Sequence, residues 1–439
     1  MEKFTIGGLV NYQGFRKYFA NTSWMISEKI LRMIVTLLVG IYVVRYLGPE
    51  RLGILSFSMS FVALFQAPAK LGLNGIIVRD AVQAPDARDE LLGTAFFLRL
   101  AGGAILLGLV YLGIHVSDSD GLTRLLVMII AFGFIFQSFE VIDFYFQARV
   151  WGKLSSIAGM GAMLLSSALK LVFIWCEVSL GWFAILIGVE NAARAVVLFW
   201  FYHTKELSIH RWRFSLRRAR KLLGDSWPLI FSALAIMIYM RIDQVMIKMM
   251  LNNTAVGQYS AAVKLSEAFY FLPVVMGKSV FPAILGARER GAKFYHDRLY
   301  SFYGIMTWMG LLVALPTSFL SGWVVHLLYG PAYAPAASVL SIHIWAAVFV
   351  FMGVASGKYL LAENLQKFTF VLRVSGCICN VTLNFILIPK YEIFGAAVAT
   401  VLSQCVASYL GYLLSVKTHL NFKYLTYSLL YPFKIRPSS

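Results

Sequence analysis

The stretch SWPLIFSALAIMIYMRIDQVMIKMMLNNTAVGQYSAAVKLSEAFYFLPVVMGKSVFPAI, Ser226 to Ile284, decides the fold. Two apolar runs flank the turn Leu251-Asn252-Asn253-Thr254-Ala255-Val256-Gly257. Each run is long enough to cross a hydrocarbon core of roughly 30 Å as a helix. Inside them sit Arg241, Asp243, Lys248, Lys264, Glu267 and Lys278. A charge near the bilayer centre costs about 2.5–3.5 kcal/mol on insertion scales, so a plain anchor would not accumulate so many. These helices must turn their charges toward protein or a wet cavity, which is the pattern of a transporter.

Composition points the same way. Of 439 residues, 59% are hydrophobic and only 14% charged, and the charges gather in short segments between apolar runs. Soluble domains run at roughly 45–50% apolar. A formal net charge of +18 would suit nucleic acid, but basic residues in membrane loops report topology and lipid headgroups instead. Cys176, Cys377, Cys379 and Cys405 all lie in apolar runs, and their spacing implies neither a metal site nor a disulfide framework.

Residues 1–22 read as an amphipathic interfacial segment, because no apolar core precedes a small-residue cleavage site. Twelve spans follow, at about 24–46, 53–74, 91–115, 122–146, 152–177, 180–203, 226–250, 257–285, 297–320, 335–362, 366–388 and 391–416. The layout is an all-α membrane protein with an N-lobe at 23–203, a basic linker at 204–224, a C-lobe at 225–416 and a basic tail at 417–439. TYSLLYPF in that tail is too short to cross and is placed at the interface. One alternating set of loops holds nearly all the Lys and Arg, including the 204–224 linker, while the other holds only Arg51 and Lys390. Positive-inside bias therefore puts both termini and the linker in the cytoplasm.

The lobes repeat. Leu47-Gly48-Pro49-Glu50-Arg51-Leu52-Gly53 aligns with Leu251–Gly257 at an offset of 204. Ala148 and Lys153 align with Ala362 and Lys367 at an offset of 214. Two six-span halves entering the membrane in the same direction imply a pseudo-two-fold along the membrane normal and a central cavity between lobes.

At this point the chain resembles a known family. RYLGPERLGILSFSMSFVALF (Arg45–Phe65), IYMRIDQVMI, VGQYSAAVKLSEAFYFLP, SVFPAI, Tyr333–Lys367 and Asn384–Gln404 are similar to the oligosaccharide flippases called Wzx. Phe144–Lys153 departs from them: where the family tends to read FQG and then a Glu, this chain has Ala148, Arg149 and Val150. The resemblance implies a fold of the multidrug/oligosaccharidyl-lipid/polysaccharide (MOP) exporter type, like that of multidrug MATE transporters. It also implies an activity, moving an undecaprenyl-diphosphate-linked oligosaccharide (an O-antigen or related surface-polysaccharide unit) across a bacterial inner membrane. Glycosyltransferases and a polymerase of the same pathway are the implied partners, beside membrane lipids. No cofactor, metal or nucleic acid is implied, only a transported proton or sodium ion.

An anionic glycan head needs a wet, cationic path. The basic candidates are Arg32, Arg99, Arg241, Lys264, Lys170, Arg194 and Arg373. Glu28/Arg32 and Glu190/Arg194 are i,i+4 pairs with the acid first, so each pair either neutralises itself or serves the path. Arg99 and Arg241 have no acid three or four residues away, which favours a phosphate-facing role. Asp243, Glu267, Glu190 and Glu28 are the ion-coupling or charge-relay candidates. Arg241 and Asp243 point roughly 200° apart on a helix and cannot pair with each other. Asp243 is thus either a salt bridge to another helix or a proton or sodium site.

Enzyme readings are weak. Asp118-Ser119-Asp120 matches a metal-binding DxD pattern, but the short loop suits a helix cap before Leu122 better. No P-loop, HExxH or GxSxG stands in a credible context. The competing functions are a MATE-type antiporter of organic cations and, less well supported, a lipid-linked sugar polymerase.

Overall fold

The computed structural model describes residues 13–117 and 119–433. Residues 1–12 of the amphipathic segment, Asp118 of the DxD triplet and the last six residues of the tail lie outside that description. In chain order the helices are α1 (Gln13–Leu64), α2 (Gln66–Lys70), α3 (Asn74–Gln83), α4 (Arg88–Val116), α5 (Gly121–Gly133), α6 (Glu140–Ala148), α7 (Gly152–Trp175) and α8 (Leu180–Thr204). They continue with α9 (Leu216–Met250), α10 (Asn253–Glu267), α11 (Phe271–Glu289), α12 (Ala292–Tyr329), α13 (Ala334–His343), α14 (Trp345–Ala362), α15 (Gln366–Ser408) and α16 (His419–Leu429).

Ten helical stretches among the described residues are long and apolar enough to cross a membrane. Twelve spans were expected. The difference lies in two long helices that bend sharply where loops were expected. α1 turns at Gly48 (φ 68°, ψ 172°), beside Pro49, and α15 turns at Glu392 (φ 51°, ψ −134°), close to Pro389. Proline and a non-helical residue break the axis without ending the helix. Asp120 accepts a hydrogen bond from the Thr123 amide at 3.2 Å, so it caps α5 as the short loop suggested.

The chain divides into two compact units. The first comprises the chain up to Tyr46 together with Phe61–Leu234, and the second comprises Leu47–Ser60 and Ala235 onward. The sequence placed residues 47–60 in the N-lobe and the division at the linker. Two glycines account for the first difference. A Cβ on Gly53 would lie 1.7 Å from the Asn253 carbonyl oxygen, and one on Gly257 would lie 1.8 Å from that of Pro49. Glycine lets these backbones touch, fastening Leu47–Ser60 to α10 within the second unit. Ser60 adds a 2.7 Å hydrogen bond to the Gln244 side chain.

The linker is held by the first unit. Arg213 N–H donates to the Asp89 carbonyl (3.2 Å), Ser215 N–H to Thr94 Oγ1 (3.1 Å) and Trp212 Nε1 to the Tyr202 hydroxyl (3.1 Å). Its exposed face carries Arg217, Arg220 and Lys221, while Arg79 pairs with Asp225 at 2.6 Å. The tail makes the same kind of strap on the second unit. α16 seats fully buried Asn421, Leu425 and Ser428 against α12 and α14, with Asn421 donating to Ser356 Oγ at 3.1 Å and Ser428 bonded to Thr307 at 2.7 Å. The tail is therefore packed into the protein here, where an interfacial position was expected, because its polar residues find partners on those helices. Thr94–Ser215 and Thr307–Ser428 stand 213 residues apart, so the repeat extends into both straps.

The repeat also appears in the backbone. Val150 (φ 59°) and Asn364 (φ 56°) are left-handed residues at the ends of α6 and α14, 214 residues apart. The next amide bonds back to Phe146 O at 2.8 Å in one half and to Leu360 O at 2.7 Å in the other, which is a paired helix stop. The break after α1 at Phe65 likewise corresponds to the tight turn Ala268–Tyr270 after α10 at the offset of 204.

Candidate functional site

Polar networks lie inside the spans of both units. In the second unit, α9 carries Asp243 inward, only 4% exposed. Its Oδ2 accepts from Tyr259 on α10 (2.7 Å) and from Thr400 on α15 (2.6 Å), and its Oδ1 accepts from Asn384 on α15 (2.6 Å). Asn384 also donates to Asn380, which donates to Ser403. Among the described residues no cation pairs with Asp243, so the interhelical salt bridge considered for it is not made. Neutral hydroxyl and amide groups hold it instead. The carboxylate borders a cavity of about 20 Å³ with Tyr259, Glu267, His343, Thr400 and Gln404. That volume holds about one water-sized particle. Asn384 Oδ1 is buried without a partner. A carboxylate with hydroxyl and amide oxygens around it can take up a proton, or coordinate a small hard cation once the hydroxyls rotate.

Beside this cage Arg241 pairs with Glu267 at 3.4 Å. Both side chains are partly exposed, at 32% and 24%. His343 is buried and bonded to Ser266 at 3.0 Å. Lys264 and Arg373 are exposed on α10 and α15.

In the first unit Arg32, Arg99 and Arg194 are engaged. Arg32 bonds Glu28 (2.9 Å), Glu190 (3.2 Å) and the Gly159 carbonyl (2.9 Å). Arg99, its side chain 2% exposed, bonds Glu140 at 2.7 Å and Asn74 at 3.3 Å and lies 5.3 Å over the Phe144 ring. Arg194 bonds Glu140 (3.1 Å) and Asp143 (2.8 Å). The Glu28–Arg32 helical pair therefore forms, but Glu190–Arg194 does not: Arg194 is drawn across to α6 and Glu190 to Arg32. Arg99 and Arg241, read as facing phosphate because no acid stands three or four residues away on their own helices, take acids from α6 and α10. In this structure Arg99 is a buried, paired cation that borders only a small cavity beside Lys70. Lys170 is half-buried and, among the described residues, makes no ion pair, although the charge of Glu190 acts on it.

Sequence reasoning followed charges and so missed Tyr259, Thr400, Asn380 and Asn384, the groups that enclose Asp243. One signal was available, since Asn380 and Asn384 are i,i+4 polar residues on a single face of an apolar span. Lys70 was missed as well. It ends α2 beside Arg99 and Gln137 around a second small cavity.

Comparison with known proteins adds a third line. Residues 18–286 match the family described as polysaccharide biosynthesis protein. The "Probable flippase AglR" of Haloferax volcanii is 26% identical over 409 residues, covering 88% of this chain and 80% of that one. Among solved structures, an inward-facing multidrug resistance MATE family transporter of the MOP superfamily superposes with a TM-score of 0.72 at 17% identity, covering 90% of this chain and 95% of that one. The lipid II flippase MurJ in an inward closed conformation gives 0.68 at 16% identity, covering 95% and 94%. At such identities the structural likeness speaks for the fold alone.

Proposed function

The chain belongs to the polysaccharide biosynthesis protein family, and from that membership we propose that it is a flippase of lipid-linked oligosaccharide, with no chemical step of its own. The observation that carries a transport reading is Asp243, a carboxylate enclosed by membrane-spanning helices with neutral partners and no counter-cation. Buried charge without a counter-charge is expensive to keep, and in spans it marks ion or substrate paths. The substrate class draws on the family and on relatives named as flippases.

In this reading the cargo is a polyisoprenyl-diphosphate-linked glycan, with undecaprenyl diphosphate as the carrier and an O-antigen or similar surface unit as the head. It crosses from the cytoplasmic to the outer leaflet by alternating access. The membrane is the bacterial inner membrane, both termini and the linker face the cytoplasm, and the bends at Gly48 and Glu392 divide the chain into twelve passes. Glycosyltransferases supply the cargo and a polymerase consumes it. Asp243 takes a proton or sodium ion, and its occupancy shifts the balance between inward- and outward-open states.

A second reading, a multidrug exporter, draws on the MATE likeness and on the pairing of Arg32, Arg99, Arg194 and Arg241 with acids, which leaves fewer cations for an anionic cargo. Proteoliposomes separate the two by moving either a fluorescent lipid-linked sugar or an organic cation under an imposed proton or sodium gradient. In the same assay Asp243→Asn keeps the shape of the side chain and removes its charge. Coupling predicts normal protein levels and loss of gradient-driven flipping; wild-type flipping with an unchanged gradient response removes the coupling role.

A further inference from the structure

Lys70 is a cation of the first unit that makes no ion pair among the described residues. It sits at the end of α2, half-buried, and its one hydrogen bond runs to Gln66 Oε1 at 3.3 Å. Its electrostatic neighbours are Glu140, Arg99 and Arg194. Glu140 already shares its two oxygens between the two arginines, and Asp143 serves Arg194. Neither carboxylate comes within ion-pair distance of Lys70, so three cations face two acids and the excess positive charge rests on the ammonium.

Its position is firmly held. A Cβ on Gly102 would lie 2.5 Å from the Ala69 carbonyl oxygen, so glycine lets the backbone of α2 rest directly on α4 next to Arg99. The ammonium borders a water-sized cavity shared with Gln66, Arg99 and Gln137, and Gln137 Oε1 there is buried without a partner. An ammonium has three donors, and here one is used. A half-buried positive charge with spare donors is stabilised by an anion, and lysine binds phosphate as a compact point charge.

From this geometry we propose that Lys70 contacts a phosphate of the lipid-linked cargo, with the Gln66 and Gln137 side chains beside it, while Arg99 and Arg194 hold the acids that leave it free. The proposal rests on the flippase reading and names the residue that reads the diphosphate. It moves the anion contact from Arg32, Arg99, Arg194 and Arg241, which are paired with acids, to a lysine.

The test measures binding of farnesyl diphosphate, a soluble polyisoprenyl diphosphate, to the purified full-length chain by calorimetry. Lys70→Met is expected to weaken binding about tenfold or more, the value of one charge-assisted hydrogen bond. Lys70→Arg is expected to retain most of it. Both variants are checked for an unchanged melting temperature, and Lys70→Gln replaces Lys70→Met if the latter fails to fold. Wild-type affinity in Lys70→Met or Lys70→Gln overturns the assignment of Lys70 while leaving the flippase reading intact. No binding by the wild-type chain overturns the diphosphate reading and this proposal with it. Equal displacement of the probe by phosphatidylglycerol makes the site a general headgroup contact and likewise overturns the proposal.

Discussion

Replacing Arg99 with Ala tests whether an intramembrane arginine is structural or faces cargo. Arg99 is nearly inaccessible, bonds Glu140 at 2.7 Å and lies over Phe144. Removing one partner of a buried ion pair costs about 3–5 kcal/mol, because the other charge is left uncompensated. Here Glu140 keeps Arg194 at 3.1 Å, which lowers that figure. The lost contact with the Phe144 face restores about 0.5–2 kcal/mol of it, for a net near 3 kcal/mol. For a unit of this size each kcal/mol moves the melting temperature by about 2–4 °C, so a fall of about 6–12 °C is expected in detergent. Glu140→Gln in the Arg99→Ala background should recover part of that loss, since it removes the carboxylate left short of a partner. The assay is thermal unfolding of purified protein run beside a flipping assay. An Arg99→Ala protein that melts like wild type yet no longer moves cargo refutes the structural reading and returns Arg99 to the substrate path.

Val150 is a β-branched residue held at φ 59°, where the second half of the repeat has Asn364. Left-handed backbone costs an L-residue about 1–2 kcal/mol and asparagine less, so Val150→Asn should raise the melting temperature by a few degrees; an unchanged or lower value removes the strain argument. At the crossing of Leu47–Ser60 with α10, Gly53→Ala and Gly257→Ala each push a methyl into a backbone carbonyl that has no rotamer to change. Overpacking of this kind costs about 1–3 kcal/mol, and both variants should yield less folded protein on size exclusion. Wild-type yield and melting in either would show that the two helices do not meet as closely as described.

Much of the fold could be read from the chain alone because its causes are local. Hydropathy over about twenty residues sets a span whatever surrounds it. The Asp120 cap, which appears as expected, and the Glu28–Arg32 pair, one of the two outcomes left open for it, depend on neighbours three or four residues away. The repeat was legible in Leu47–Gly53 and Leu251–Gly257, and the left-handed stops at Val150 and Asn364 give it a backbone counterpart.

Other features depend on how helices far apart in sequence rotate and slide against one another. Glu190 meets Arg32 rather than Arg194, 158 residues away instead of four, since packing turned α8 toward the first helix. Arg99 looked unpaired for the same reason: its acid lies 41 residues further along the chain. Asp243 receives Thr400 and Asn384 from α15, residues with no charge to mark them in a sequence. The tail could be judged too short to span, but its seat against α12 and α14 depends on polar partners that only the assembled helices bring together. The chain by itself determined which segments enter the membrane and which charges they carry, because both are properties of residues near one another. Tertiary structure decided which charges on different helices neutralise each other and which, like Lys70, are left over, because pairing between helices needs distances under about 4 Å that only packing can set.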